Sequence, residues 1–327
     1  MFRYSIRPLP ERFHPWGLGP DGTVVGGGSE RGVAWAVRDG VGTALVAPTP
    51  AIRDMYATAC NAAGLVVGAI RPTGAMWRAA AFAGGVARDL GTLYGGQSLA
   101  EAVNDGGLIV GRTTAPADPG RIAIRRDIPR FRAVAHDGRG WRDLGTLGGP
   151  YSQARAVNAR GDAAGWAVTP DGITRAARFR AGAAAPDDLG ARTATGDSDA
   201  CGINDDGLIA GNAQLADGSG RAVLFDRGAL VPLASLGGGA SGAFGLNNRG
   251  QVLGVETLPP PHTGERAYAR ARVVLWEGGA VAALDDLLVD GAGWELVQPR
   301  ALNDAGQIAG MGRFRGQERA FLLTPVA

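Results

Sequence analysis

Seven pairs of residues, lying five and three positions before a recurring Asn, hold most of the side chains here that could do chemistry together. The first members are His14, Tyr56, Leu99, Gln153, Asp199, Gly242 and Gln298. The second are Trp16, Thr58, Glu101, Arg155, Cys201, Phe244 and Arg300. Glu, His and Tyr can move protons, Arg can grip a carboxylate or carbonyl, and large aromatics can stack on an organic body. The set suits acid–base chemistry with no redox cofactor and no metal, such as elimination, cyclisation or isomerisation of one organic small molecule. In that reading Glu101 is the general base, and Tyr56 or His14 the general acid. Arg155 and Arg300 clamp an anionic group, Trp16 and Phe244 stack on the substrate, and Asp199, Gln153 and Gln298 complete the polar lining. His262, which follows the stiff run Pro259–Pro261, could be presented over the same site. The bland alternative is a salt-bridged plug in which Arg155 and Arg300 merely offset Glu101 and Asp199.

Composition removes other chemistries. The 33 basic residues are all Arg, so a Schiff-base lysine, a Walker-A phosphate loop and a Ser–Lys pair are excluded. There is no Gly-x-Ser-x-Gly elbow, and His14, His136 and His262 lack the paired spacing of metal ligands. His136 stands where other repeats carry a packing aromatic. A net charge of +2 with interspersed signs gives no footprint for nucleic acid. The basic stretch Arg121–Arg132 reads as a solvated loop edge. No apolar run approaches a membrane span. The first residues lack the apolar core of a secretory signal, which points to a cytoplasmic protein. Cys60 and Cys201 fall in distant repeats, so a disulfide between them is not expected.

The elements that must position these residues come from an internal repeat. Asn-x-x-Gly, a short apolar run and a second Gly recur at Asn61–Gly68, Asn104–Gly111, Asn158–Gly165, Asn204–Gly211, Asn247–Gly254 and Asn303–Gly310. A seventh copy begins at Gly19, which takes the place of Asn. The turn glycines fall at 22, 64, 107, 161, 207, 250 and 306, a period of 42 to 56 residues. Short strands and Gly turns at that period mean propeller blades. Before each Asn runs an alternation of small residues, as in Ser98-x-Ala100-x-Ala102. Then come the apolar strand, a third strand such as Ala79–Gly85, and a fourth expected over Arg88–Leu93 and Arg142–Leu147. The chain ends on a third strand, Arg319–Thr324, and opens on an orphan strand, Phe2–Leu9. Pairing them closes the ring and removes a free edge. The expectation is an all-β, seven-bladed propeller of four-stranded blades over residues 1–327, monomeric, with the small-residue strand lining the channel. Gly26–Gly28 reads as turn material.

Leu144–Gly149 (LGTLGG) and Leu90–Gly96 (LGTLYGG), each followed by Ser-x-Ala-x-x-Val-Asn, resemble the HAF-repeat family over nearly the whole chain. The resemblance implies a propeller and little about chemistry. Members are mostly expected to be exported, whereas this chain shows no signal.

Two segments, 112–132 and 255–272, lengthen their repeats and could cover the channel mouth. A non-catalytic protein-interaction scaffold is the alternative function, with Trp294, Phe314 and Arg315 as rim anchors. Glycan binding ranks lower, because the aromatic–carboxylate set is not repeated from blade to blade.

Overall fold

A computed structural model describes residues 1–28, 32–116, 130–190, 196–258 and 271–326. Seven four-stranded antiparallel sheets form the blades. Six are sequential: 13–45, 52–89, 98–143, 152–188, 198–232 and 241–283. The seventh is built from 294–326, and its outermost strand is the N-terminal Arg3–Pro8. That strand pairs from Arg3↔Val326 to Pro8↔Phe321 and buries Tyr4 completely. Every first strand contacts the first strands of both neighbouring blades, the seventh returning to the first. The small-residue strands therefore line the channel. Among the described residues no helix is long and apolar enough to cross a membrane.

The repeated residues turn out to be staples between blades. Asn61 donates its side-chain amide to the Asn104 carbonyl at 3.0 Å, Asn104 to Asn158 at 2.9 Å, and Asn158 to Asn204 at 3.0 Å. The chain of bonds continues from Asn247 to Asn303 at 2.9 Å and from Asn303 to Gly19 at 3.0 Å. Each of these Asn side chains also accepts an N–H from its own turn, for example Leu65 to Asn61 at 2.9 Å. Gly19 breaks the pattern for a steric reason: a Cβ there would press on the Cys60 thiol. The Ser that opens four of the motifs, at 98, 152, 198 and 241, has a similar task. Ser152 Oγ accepts the Ala133 N–H of the preceding blade at 3.0 Å and donates to the Gly145 carbonyl at 2.7 Å. Asp143 accepts the Gly145 N–H at 2.7 Å and so shapes that turn. The fourth strands stop at this Asp (Val86–Asp89, Trp141–Asp143), shorter than the sequence suggests. The Asp carboxylate draws the chain into a turn, and Gly91 and Gly145 take positive φ there.

One irregularity recurs in every blade. The register of the first strand slips at Trp16, Thr58, Glu101, Arg155, Cys201, Phe244 and Arg300. Each is the extra residue of a β-bulge, a feature that re-aims a side chain. The second Gly of the repeat makes the bulge possible. A Cβ on Gly26, Gly68, Gly111, Gly165, Gly211, Gly254 or Gly310 would overlap the carbonyl oxygen of the residue two before the bulge. Gly26–Gly28 belongs to a strand, Val24–Gly28, rather than a turn, because Gly26 is one of these seats. His136 is buried and meets Trp141 edge-on at 4.9 Å, a packing role. Cys60 and Cys201 are free thiols.

Asn158→Ala removes a buried inter-blade bond and its own turn bond. The expected loss is about 1–3 kcal/mol in chemical denaturation. Gly165→Ala should cost more, because the bulge at Arg155 must break. A smaller loss for Gly165→Ala than for Asn158→Ala would contradict the steric account.

Candidate functional site

Six of the seven bulged residues, all but Arg300, open onto one mouth of the channel, where two lobes meet. The larger has a volume of about 1170 Å³, and its walls include Gln153, Arg155, Asp199, Cys201 and Phe244. The smaller, about 740 Å³, is walled by residues that include His14, Tyr56, Trp77, Met55 and Arg71. Trp16, Glu101 and Arg112 border both. Glu101, Tyr56, His14 and Trp16 therefore share the smaller lobe, and Gln153, Arg155, Asp199 and Phe244 share the larger with Glu101 and Trp16. Trp16 and Phe244 are exposed there. Arg300 and Gln298 border neither lobe. Arg300 bonds Gln298 Oε1 at 2.9 Å and lies 4.2 Å over the Trp16 ring, so it braces Trp16 from outside. Burial pulls its guanidinium pKa down. His262 and Pro259–Pro261 lie outside the described residues, as do most of 112–132 and 255–272.

Glu101 sits on its bulge with its carboxylate held by one edge. Arg112 approaches Oε1 at 2.8 Å, and the Gln153 amide donates to the same oxygen at 3.3 Å. Oε2 has no hydrogen-bond partner among the described residues. Arg112 is itself seated over the Phe131 ring at 4.8 Å. Tyr56 stands edge-on to Trp77, with ring centroids 4.9 Å apart. Burial, and then the Glu101 charge, push its phenol up to about 12, so it stays a proton donor. Arg155 is tied to Asp199 at 2.5 Å, and Asp199 takes a second bond from Asn212 at 2.8 Å. Arg155 and Arg300 are thus separately engaged and do not converge into a clamp. Burial pushes the Cys201 thiol up to about 12 while it donates to the Ala210 carbonyl at 3.4 Å. A thiol held protonated in this way is not an activated nucleophile. Among the described residues no group of three or more His, Cys, Asp or Glu could hold a metal ion.

Two Arg at this mouth escaped the sequence reading. Arg112 lies opposite Leu99 in the register, directly after the bulge-seating Gly111. The same place holds Gly27, Ala69, Trp166, Asn212, Val255 and Met311 in the other blades. That variation was visible in the sequence and marks a third ring. Arg221 belongs to a different set: Arg78, Arg132 and Arg175 occupy the matching third-strand place and brace the Asp-Leu-Gly turn. Arg132 reaches Asp143 at 2.9 Å, Arg78 reaches Asp89 at 3.6 Å, and Arg175 donates to the Gly190 carbonyl. In the fifth blade Pro232 stands where Asp143 stands in the third. Arg221 is left with no salt bridge or hydrogen bond among the described residues, and it borders the larger lobe.

No family model matches the chain, and no curated protein matches it. The HAF-repeat resemblance therefore rests on its motifs. Solved structures do match. Virginiamycin B lyase from Staphylococcus aureus is 12% identical with a TM-score of 0.51, covering 100% of both chains. YCF48 bound to D1 peptide is 12% identical with a TM-score of 0.54, covering 100% of this chain and 96% of that one. The β-propeller domain of the Trilobed protease from Pyrococcus furiosus is 12% identical with a TM-score of 0.50, covering 84% and 82%. At such identities the likeness is one of fold alone.

The phenol of Tyr4 and the thiol of Cys60 are also pushed by burial to about 12, from ordinary values of 10.0 and 9.0. In the unfolded chain these groups give up their protons at the lower values, so the folded state binds more protons between about pH 9 and 12. Stability is fully present below that window and should fall steadily through it. Denaturation midpoints flat from pH 9 to 11.5 would contradict this. Tyr56→Phe should remove one phenolate step near pH 12 from the ultraviolet titration.

Proposed function

We propose that this propeller binds a small organic molecule carrying an acidic group at the mouth of its channel and catalyses acid–base chemistry on it. The observation that carries the reading is the posture of Glu101. A carboxylate fixed through Oε1 by Arg112 and Gln153 leaves Oε2 open where the two lobes meet. That oxygen takes a proton from the bound molecule, and Arg112 keeps the carboxylate aimed while the charge moves. Tyr56, protonated on the neighbouring wall, returns a proton to a second atom of the substrate. One proton leaves and one arrives, which is the balance of an isomerisation or a cyclisation. An elimination uses the same two groups, with Tyr56 protonating the leaving group.

Arg221 supplies the positive charge that the ligand's acidic group would need. The other Arg that border the larger lobe, Arg112 and Arg155, are already matched to Glu101 and Asp199. Trp16, stiffened by Arg300, offers a flat face between the lobes. Of the rim anchors that a scaffold would use, Arg315 stays exposed over the Phe314 ring at 5.1 Å, whereas Trp294 is drawn inward. Trp294 packs on Phe314 and Phe321, with centroids at 5.2 and 6.1 Å, and belongs to the core of the last blade.

Native mass spectrometry of freshly purified protein should show a small-molecule adduct in the wild type and in Glu101→Gln, and none in Arg221→Ala. Incubation with a metabolite extract in heavy water should place deuterium in the turned-over molecule with wild type only. Equal deuterium incorporation by Glu101→Gln would remove Glu101 as the base. An adduct with neither incorporation nor a new product from any form would leave a binding protein and sink the enzyme. A clean mass for every form would remove the ligand.

A further inference from the structure

The smaller lobe lies beside the two blades in which one ring carries its smallest residues. The residue after each bulge-seating Gly is Arg112, Trp166, Asn212, Val255 or Met311 in blades three to seven, but Gly27 and Ala69 in blades one and two. Gly27 has no conformational excuse. Its φ is not positive, unlike that of the turn glycines. A Cβ there would meet only the Tyr56 Cβ at 3.8 Å and the Val33 carbonyl at 4.0 Å, ordinary contacts. Its neighbour Gly26 is different, since a Cβ on it would overlap the His14 carbonyl. Gly26 seats the bulge, whereas Gly27 leaves space.

The space has a definite chemistry. Its walls include four aromatic side chains, Trp77, Tyr56, Trp16 and His14, together with Met55. The charges on its walls cancel in pairs, Asp54 with Arg71 and Glu101 with Arg112. Arg71 also lies 5.2 Å over the Trp77 ring, which holds that ring's orientation. Flat walls without net charge favour a flat guest without charge, through edge and face contacts between rings. The lobe of about 740 Å³ has room for a fused bicyclic ring.

We infer that the smaller lobe is a subsite for an uncharged aromatic group and that Gly27 is the residue that admits it. This rests on the small-molecule reading of the mouth and narrows its substrate class. The ligand carries an arene in the smaller lobe and an acidic group in the larger. Its reacting atoms lie at the junction, beside Glu101 Oε2.

Neutral fragments test the subsite without the acidic group. Ligand-observed NMR titrations would use indole, with cyclohexanol as the non-aromatic control. Indole should bind wild type and Arg221→Ala saturably and alike, and cyclohexanol at least tenfold more weakly. Gly27→Leu should weaken indole at least tenfold, with Gly27→Ala between the two. Trp77→Ala gives an independent check should Gly27→Leu fold poorly, which its melting temperature would reveal. Indole that fails to bind wild type, or binds Gly27→Leu and Trp77→Ala undiminished, overturns the subsite. An adduct and deuterium incorporation that persist in that case leave the enzyme reading standing. Indole binding without adduct or incorporation leaves the subsite and removes the enzyme.

Discussion

A carbonyl oxygen resting on the α-carbon of a glycine is the contact on which this molecule depends. It occurs once per blade, and it lets the innermost strand gain a residue without losing its place in the sheet. The extra residue escapes the alternation that puts small side chains between blades, so it can be large, charged or aromatic at no expense to packing. Structure and function are thereby separated at single-residue resolution. Ala100 and Ala102 fill the blade interface, while Glu101 between them faces the cavity. Any side chain on Gly111 would couple the two again.

The same economy governs the polar residues. Asn, Ser and Asp of the repeat are spent on joining one blade to the next, and their donors and acceptors find partners within the ring. Arg of the third strand joins that lattice wherever an Asp faces it. Where Pro232 replaces the Asp, the lattice releases a cation at the mouth. A single change in the outermost strand thus alters the electrostatics of the cavity, with no change among the residues that line the innermost strand.

Much of this was legible in the chain. Blade number, strand order and ring closure follow from seven copies of one motif and from the two orphan strands at Phe2–Leu9 and Arg319–Thr324. The positions of Glu101 and Arg155 followed from asking where the copies disagree. Their bulged geometry did not, because a bulge leaves the period of small residues intact and shows only in the pairing register. Arg112 gives little signal, because it directly follows the repeated Gly and opens a segment that reads as a long loop. Arg221 was hidden for the opposite reason: its residue type repeats, and what sets it apart is the loss of its partner beside the larger lobe. Arg155 and Arg300 looked like a matched pair in a list of ring positions. Space assigned one to Asp199 and the other to Trp16.

The ring closes through a strand at residues 3–8 that pairs with one at residues 317–326. During synthesis the first of these is made some three hundred residues before its partner. Until then Tyr4 has no core to enter, and the outer edge of the final blade does not yet exist. The earlier blades must hold together as an open arc, joined by neighbour-to-neighbour Asn and Ser bonds and by the apolar side chains packed between them, and an arc has two unsatisfied faces. Completion is then a single late event that seals both faces at once and brings Trp16 of the first blade against Arg300. The cavity, assembled from opposite ends of the chain, comes into being only at that moment.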